Sequence, residues 1–154
     1  MKVLIVYDSV SPMKLTAKVA EAIAVVLKEK GVEVDSFFVK DVDVAKVKNY
    51  GCVIVGGPTM YLKMSSGIAQ FLDQLRDKDF LGKLGAAFDT QLQSRLSGNA
   101  AKGIGNRLKK LSFVMIAAPL VAYVEGKMNA QHLKEGELEK AKNWAQEVAK
   151  ALSA

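Results

Sequence analysis

Apolar residues follow two rhythms along this chain: short unbroken runs, and longer stretches in which they recur every three or four positions. The first run, Lys2 to Tyr7, is rich in Val, Leu and Ile, is too short for a helix and predicts a buried strand. After a polar turn from Asp8 to Pro12, residues Leu15, Val19, Ile23, Val26 and Leu27 form one stripe, with Lys14, Lys18, Glu21 and Lys28 facing outward. That predicts a helix starting at once after Pro12 and closed by Gly31. Val32 to Val39 reads as a second strand and Asp41 to Lys48 as a short helix. Gly51 to Val55, ended by Gly56-Gly57-Pro58, is β-branched and apolar on both faces, so it predicts a central strand.

A helix from about Ser66 to Arg76 follows, with Ile68, Phe71, Leu72 and Leu75 inward. Lys83 to Phe88 is a fourth strand, leading into a polar loop from Asp89 to Gly98. Asn99 suits the cap of a helix burying Ala101, Ile104, Leu108 and Leu111, in which Gly103 and Gly105 each cost about 1 kcal/mol relative to Ala. Ser112 to Ala118 is a fifth strand ending at Pro119, Leu120 to Leu133 is ambiguous and reads as a strand extension and loop, and Glu135 to Leu152 is the last helix. Strand and helix thus alternate through the chain, which predicts an α/β, doubly wound, five-stranded parallel sheet with right-handed crossovers and helices on both faces. Ligands should gather at the loops after strands one, three and four.

Composition changes this picture little. The 154 residues suit a single domain over 1–154, half of them hydrophobic and a quarter charged. No signal peptide or membrane span is legible, so a cytoplasmic location is expected. Lone Cys52 lies in the central strand, where it reads as a small buried hydrophobe. Charge is uneven: residues 78 to 154 carry 12 basic against 7 acidic residues, and 1 to 77 carry 10 against 9. The lysines alternate with Glu on helices and lack interleaved aromatics, which argues against nucleic acid.

Several chemistries fail at the residues that would perform them. No Gly-x-Gly-x-x-Gly follows the first strand and no Gly-x-x-x-x-Gly-Lys-Ser/Thr occurs, excluding dinucleotide and ATP phosphate loops of those kinds. A phospho-receiver would want Asp at the end of strand three, where Gly56-Gly57 stands. His132, the only His, has no Cys or clustered acid beside it for a metal or a triad, and is expected in an exposed loop.

Three blocks carry a family likeness: Ile5-Val6-Tyr7-Asp8-Ser9 with Thr16 and Ala20, then Val53-Ile54-Val55-Gly56-Gly57-Pro58-Thr59-Met60-Tyr61 with Met64 and Phe71-Leu72, then Gly85-Ala86-Ala87-Phe88-Asp89-Thr90. Through them the whole chain resembles the flavodoxin family, and its length resembles the short-chain branch. The resemblance implies a flavodoxin-like sheet in order 2-1-3-4-5, flavin mononucleotide (FMN) as cofactor, and transfer of one or two electrons between redox partners. It places the phosphate at Ser9, Val10, Ser11, Lys14, Leu15 and Thr16, and the flavin ring at Pro58, Thr59, Met60, Tyr61 and Leu62, with Asp89, Thr90 and Gln91 at its edge.

Physical chemistry is compatible with each loop without requiring it. Hydroxyls at a helix amino terminus suit a phosphate dianion, but Ser11 could equally just cap the helix. Tyr61 and Met60 could be ring contacts or core residues beneath a turn, and Asp89 an acid facing the flavin or a solvated loop acid capping Gln91. Two departures stand out: Lys14 aligns with the family's phosphate-loop Gly, with two extra residues between Tyr7 and Thr16, and Leu62 aligns with the Gly after the ring aromatic. A side chain at either place resists the backbone conformations that Gly allows. At Leu62 that should weaken stabilisation of the one-electron-reduced flavin.

Two readings follow. One is an FMN electron carrier, more a carrier than an enzyme with its own substrate, acting as monomer or weak dimer, with Arg95 and Lys63 as docking candidates. Its redox partner protein is expected to present an acidic face, since this chain is basic where flavodoxins are commonly acidic; neither nucleic acid nor membrane is expected as partner. The other is a flavodoxin-like interaction module that has lost tight FMN binding.

Overall fold

Alternate residues of the inner strands are buried on opposite faces of one sheet. Val3 and Ile5 of β1 (Lys2–Tyr7), Cys52 and Ile54 of β3 (Cys52–Met60), and Ala86 and Phe88 of β5 (Leu84–Leu92) pack into one core. Their neighbours Leu4, Val6, Val53, Val55 and Ala87 pack into the other. A strand covered on both sides has no polar face to show, which is why these segments read as unbroken apolar runs. Helices α1 (Leu15–Glu29) and α4 (Glu137–Ser153) cover the first face, and α2 (Ser66–Asp73) and α3 (Ala100–Lys110) the second. The computed structural model describes residues 1–154 apart from Arg95 and Ser97, and Met128 without its side chain.

With β2 (Glu33–Phe38) at one edge and β7 (Leu120–Glu125) toward the other, the parallel strands run β2-β1-β3-β5-β7, the expected 2-1-3-4-5 order. Two short antiparallel additions decorate it: β4 (Lys63–Met64) on β3, and β8 (His132–Leu133) beyond β7. Gly56 shows how closely β3 and β5 engage. A Cβ there would fall 2.1 Å from Cζ of Phe88, so only glycine lets that ring cross β3.

Several boundaries differ from expectation, among them β3, which runs on through Gly56-Gly57-Pro58 to Met60 where a turn was expected, α2, which ends at Asp73 short of Arg76, and α4, which starts at Glu137. Helix α1 begins at Leu15 because Ser11 to Lys14 closes a turn, with Lys14 N–H donating to the Ser11 carbonyl at 3.1 Å; Pro12 takes the second position of that turn instead of opening the helix. The short helix is two 3-10 turns, Val39–Asp41 and Val44–Asn49. Strand β5 continues to Leu92, so Asp89, Thr90 and Gln91 lie in strand and not in loop. The fifth strand is split into β6 (Val114–Met115) and β7, both pairing with β5, around a break that ends at Pro119, which has no N–H for the ladder. Trp144 caps that break, its indole N–H donating to the Ala118 carbonyl at 2.7 Å. Among the described residues no helix is long and apolar enough to cross a membrane.

Candidate functional site

Parallel strands with adjacent starts bring the ends of β1, β3 and β5 to one edge of the sheet, and three loops meet there. Asp8 N–H donates to the Gly56 carbonyl at 3.0 Å, and Thr16 and Thr90 share a hydroxyl–hydroxyl bond of 2.7 Å in the interior. That pair uses one of its two hydroxyl protons and leaves the other to be directed elsewhere. Ser9 Oγ accepts from the Ala17 N–H of α1 at 3.4 Å. The first loop is therefore anchored at both ends, with Val10, Pro12 and Lys14 exposed between and Leu15 turned into the core.

Helix amino termini carry partial positive charge, and the acids near them distinguish the four helices. Buried Asp8 lies against the first turn of α2: its Oδ2 accepts from Ser65 Oγ at 2.7 Å, and an atom added at the Gly67 Cβ position would fall 2.6 Å from it. Asp89 serves α3. Its Oδ2 accepts from the Ala101 N–H at 3.1 Å, from Thr59 Oγ1 at 2.9 Å and from Gln91 Nε2 at 2.8 Å, while Thr59 Oγ1 itself accepts from the Ala100 N–H at 2.9 Å. Helix α4 has Glu137 and Glu139 in its first turn. Helix α1 has no acid in its first turn and no side-chain cap from Lys14, whose backbone takes φ 50°.

Asp89 thus differs from the solvated loop acid expected as one of its roles, although it does pair with Gln91. It is fully buried in a strand, not solvated in a loop, and its carboxylate is turned to α3. Burial pushes its carboxyl above the ordinary carboxylate range, against the pull of its donors. Its Oδ1 has no partner among the described residues. Thr90 and Gln91 beside it are buried too.

The loop after β3 is the most strained place described. Tyr61 has φ 48° and Leu62 φ 73°, two consecutive side-chain-bearing residues in the left-handed region, at a cost of about 1–2 kcal/mol each. Leu62 therefore occupies the kind of backbone usually left to Gly despite its Cβ. Gly98, at φ 77°, holds it there: the two form an isolated bridge, and a Cβ on Gly98 would fall 2.2 Å from the Leu62 carbonyl oxygen. Tyr61 is 91 % exposed and Leu62 62 %, so Tyr61 is no core residue. Pro58, Thr59 and Met60 are half-buried in β3 below it. Val10 and Leu96 from the other two loops, and Leu92 at the end of β5, add exposed apolar side chains.

The remaining expectations resolve simply. Cys52 is wholly buried, and burial pushes its thiol up to about 12. His132 lies on β8, exposed, with Nε2 3.0 Å from Glu125 Oε2. No metal-holding cluster occurs among the described residues. Lys63 is exposed on β4, and Arg95 lies outside the described residues. Sequence reasoning missed Asp8 and Gly98. An acid directly after a buried strand was a signal for the first; nothing local marks the second, because its partner is 36 positions away in the chain.

No protein-family model matches the chain, and no curated protein sequence matches it. Solved structures do. A flavodoxin from the domain Archaea superposes with TM-score 0.82 at 24% identity over 100% of both chains. Flavodoxin 1 from Bacillus cereus gives 0.80 at 18% over 97% of this chain and 98% of that one. Rubredoxin oxygen:oxidoreductase from Desulfovibrio gigas gives 0.80 at 26%, this chain covering 99% of itself but 36% of that longer protein. The fold is flavodoxin-like, and the flavodoxins it resembles include short-chain ones.

Proposed function

We propose that this flavodoxin-like protein binds FMN across the three loops and carries electrons between redox partners. The observation that carries this reading is the Tyr61–Leu62 turn, where an aromatic ring stands almost fully exposed on a backbone kept in a strained conformation by Gly98. Strain of this kind persists where surrounding structure over-determines it, and it concentrates at ligand clamps. When bound, the flavin would supply one- and two-electron redox chemistry.

The residues present fit the group. The FMN phosphate would lie at α1, which bears no acid in its first turn and, unlike α2 and α3, has no Asp bonded at its start from another element among the described residues, with the hydroxyls of Ser9 and Ser11 and the Thr16–Thr90 pair as donors and Lys14 adding charge. At α2 and α3 the corresponding position is taken by the carboxyl groups of Asp8 and Asp89. Tyr61, Leu62 and Met60 would offer the ring an apolar face and keep water from it. The partner's acidic face remains part of this proposal, supported by the net charge of +6.

The test is a titration of the purified protein with FMN, following flavin fluorescence. Saturation at one flavin per chain, weakened about tenfold or more by Tyr61→Ala through lost stacking and burial, is the expected result. Failure to bind FMN or riboflavin at high micromolar concentration would sink the carrier reading and leave a cofactor-free interaction module.

A further inference from the structure

We propose that the groove between α3 and the break separating β6 from β7 docks an acidic, amphipathic segment of the redox partner, a reading that rests on the electron-carrier function above. The groove encloses about 400 Å³. Lys102, Asn106 and Lys109 rim it from α3, spaced so that they share one helix face, and Met115 and Pro119 form an apolar part of its wall. No acid lines it.

Its lack of an acid sets this groove apart from others of similar size, including the one rimmed by Lys14, Lys18 and Lys28, which also holds Glu21. From Ala100 to Lys110, α3 carries Lys102, Arg107, Lys109 and Lys110 and no acid. Arg107 is engaged by Asp73 at 2.6 Å on another side of the helix, so Lys102 and Lys109 keep the groove cationic. The groove of similar size between α1 and α4, about 440 Å³, is rimmed by Lys18, Glu21, Glu29 and Lys142 and is electrically balanced. Both would accept an apolar side chain; one alone of the two would select an acidic neighbour for it.

Position makes the groove useful to a carrier. It opens at Asn99, one residue from Gly98, which bridges Leu62, and next to Ala100, whose N–H is held by Thr59. A segment seated there lies beside the Tyr61 turn. The Asn99 side chain is itself fixed, accepting from the Lys102 N–H at 2.9 Å, so the groove's entrance and the candidate flavin site belong to one hydrogen-bonded unit.

The probe is a fluorescein-labelled peptide in which leucines are flanked by glutamates, followed by fluorescence anisotropy, with FMN titrated separately into each variant. The expected result is saturable binding that weakens as salt rises and falls about tenfold or more in Lys102→Glu/Lys109→Glu, with less than about twofold loss in Lys40→Glu/Lys150→Glu, which makes the same charge change elsewhere. No binding by the unaltered protein, or equal loss in both double variants, overturns the groove. FMN affinity should be unchanged in Lys102→Glu/Lys109→Glu. Absence of FMN binding beside intact peptide docking defeats the carrier reading alone, and FMN binding without docking defeats the groove alone.

Discussion

Leu62 and Gly98 oppose each other energetically at the scale of single residues. Leu62 bears a Cβ at φ 73° and is mostly exposed, so its side chain returns little burial for the strain it causes. Leu62→Gly should therefore stabilise the flavin-free protein by about 0.5–1 kcal/mol, the relief of strain less the extra freedom glycine gives the unfolded chain. Gly98→Ala should do the reverse and cost more than about 2 kcal/mol, since it combines a strained φ with a Cβ 2.2 Å from the Leu62 carbonyl oxygen. Urea midpoints of the two variants check both signs. A stabilised Gly98→Ala would mean that the bridge to Leu62 does not hold the turn. Lys14 belongs with Leu62: both positions looked forbidding in sequence because a side chain replaces an expected glycine, and at both the chain adopts the left-handed backbone anyway.

Helix α3 shows the same economy at the level of an element. Its first turn is capped from outside, by Thr59 of β3 and Asp89 of β5, so two strands and a helix share one buried carboxylate. Because burial raises the Asp89 carboxyl, the folded protein holds that proton to higher pH than the unfolded chain does. Its contribution to stability is complete below the unfolded carboxylate value and declines as pH rises through the raised folded one. Asp89→Asn cannot titrate, so its stability should fall less than that of the unaltered protein as pH rises from about the ordinary carboxylate value through the raised folded one. Identical pH profiles would remove Asp89 as the source. Within α3, Gly105 sits in a helix interior where an added Cβ would make ordinary contacts of 3.8 Å with Met115 and Pro119. Gly105→Ala should stabilise by about 0.5–1 kcal/mol in thermal or urea unfolding, as helix propensity requires.

For the whole molecule, the relevant fact is that three loops distant in sequence are tied before any ligand arrives, through Asp8 to Gly56, Thr16 to Thr90, and Leu62 to Gly98. A site assembled in the folded chain and lost on unfolding couples binding to stability. FMN at a hundredfold its dissociation constant should thus raise unfolding free energy by about 2.7 kcal/mol. Denaturation followed at increasing FMN checks this, and a midpoint insensitive to FMN under conditions where flavin fluorescence reports binding would mean that the unfolded chain binds equally well. The excess of positive charge in the second half of the chain also acquires a location at this scale, in the cationic face of α3 beside the loop cluster.

By itself the sequence determined the fold class and the central place of β3, because strands buried on both faces and amphipathic helices impose local patterns that any window of the chain displays. It also determined that Cys52 is core and that Asn99 caps α3. Only tertiary structure decided how far β5 runs and that the fifth strand is split, since strand length depends on a neighbour offering hydrogen bonds. It alone showed Asp89 to be a buried cap of α3 and Asp8 to be buried against the start of α2, because each meets donors from distant parts of the chain. It alone placed Leu62 in a left-handed turn, because the residue that holds it there, Gly98, comes from another loop. Local preference is written residue by residue; burial, capping across elements and tolerated strain are set by whatever the fold brings alongside.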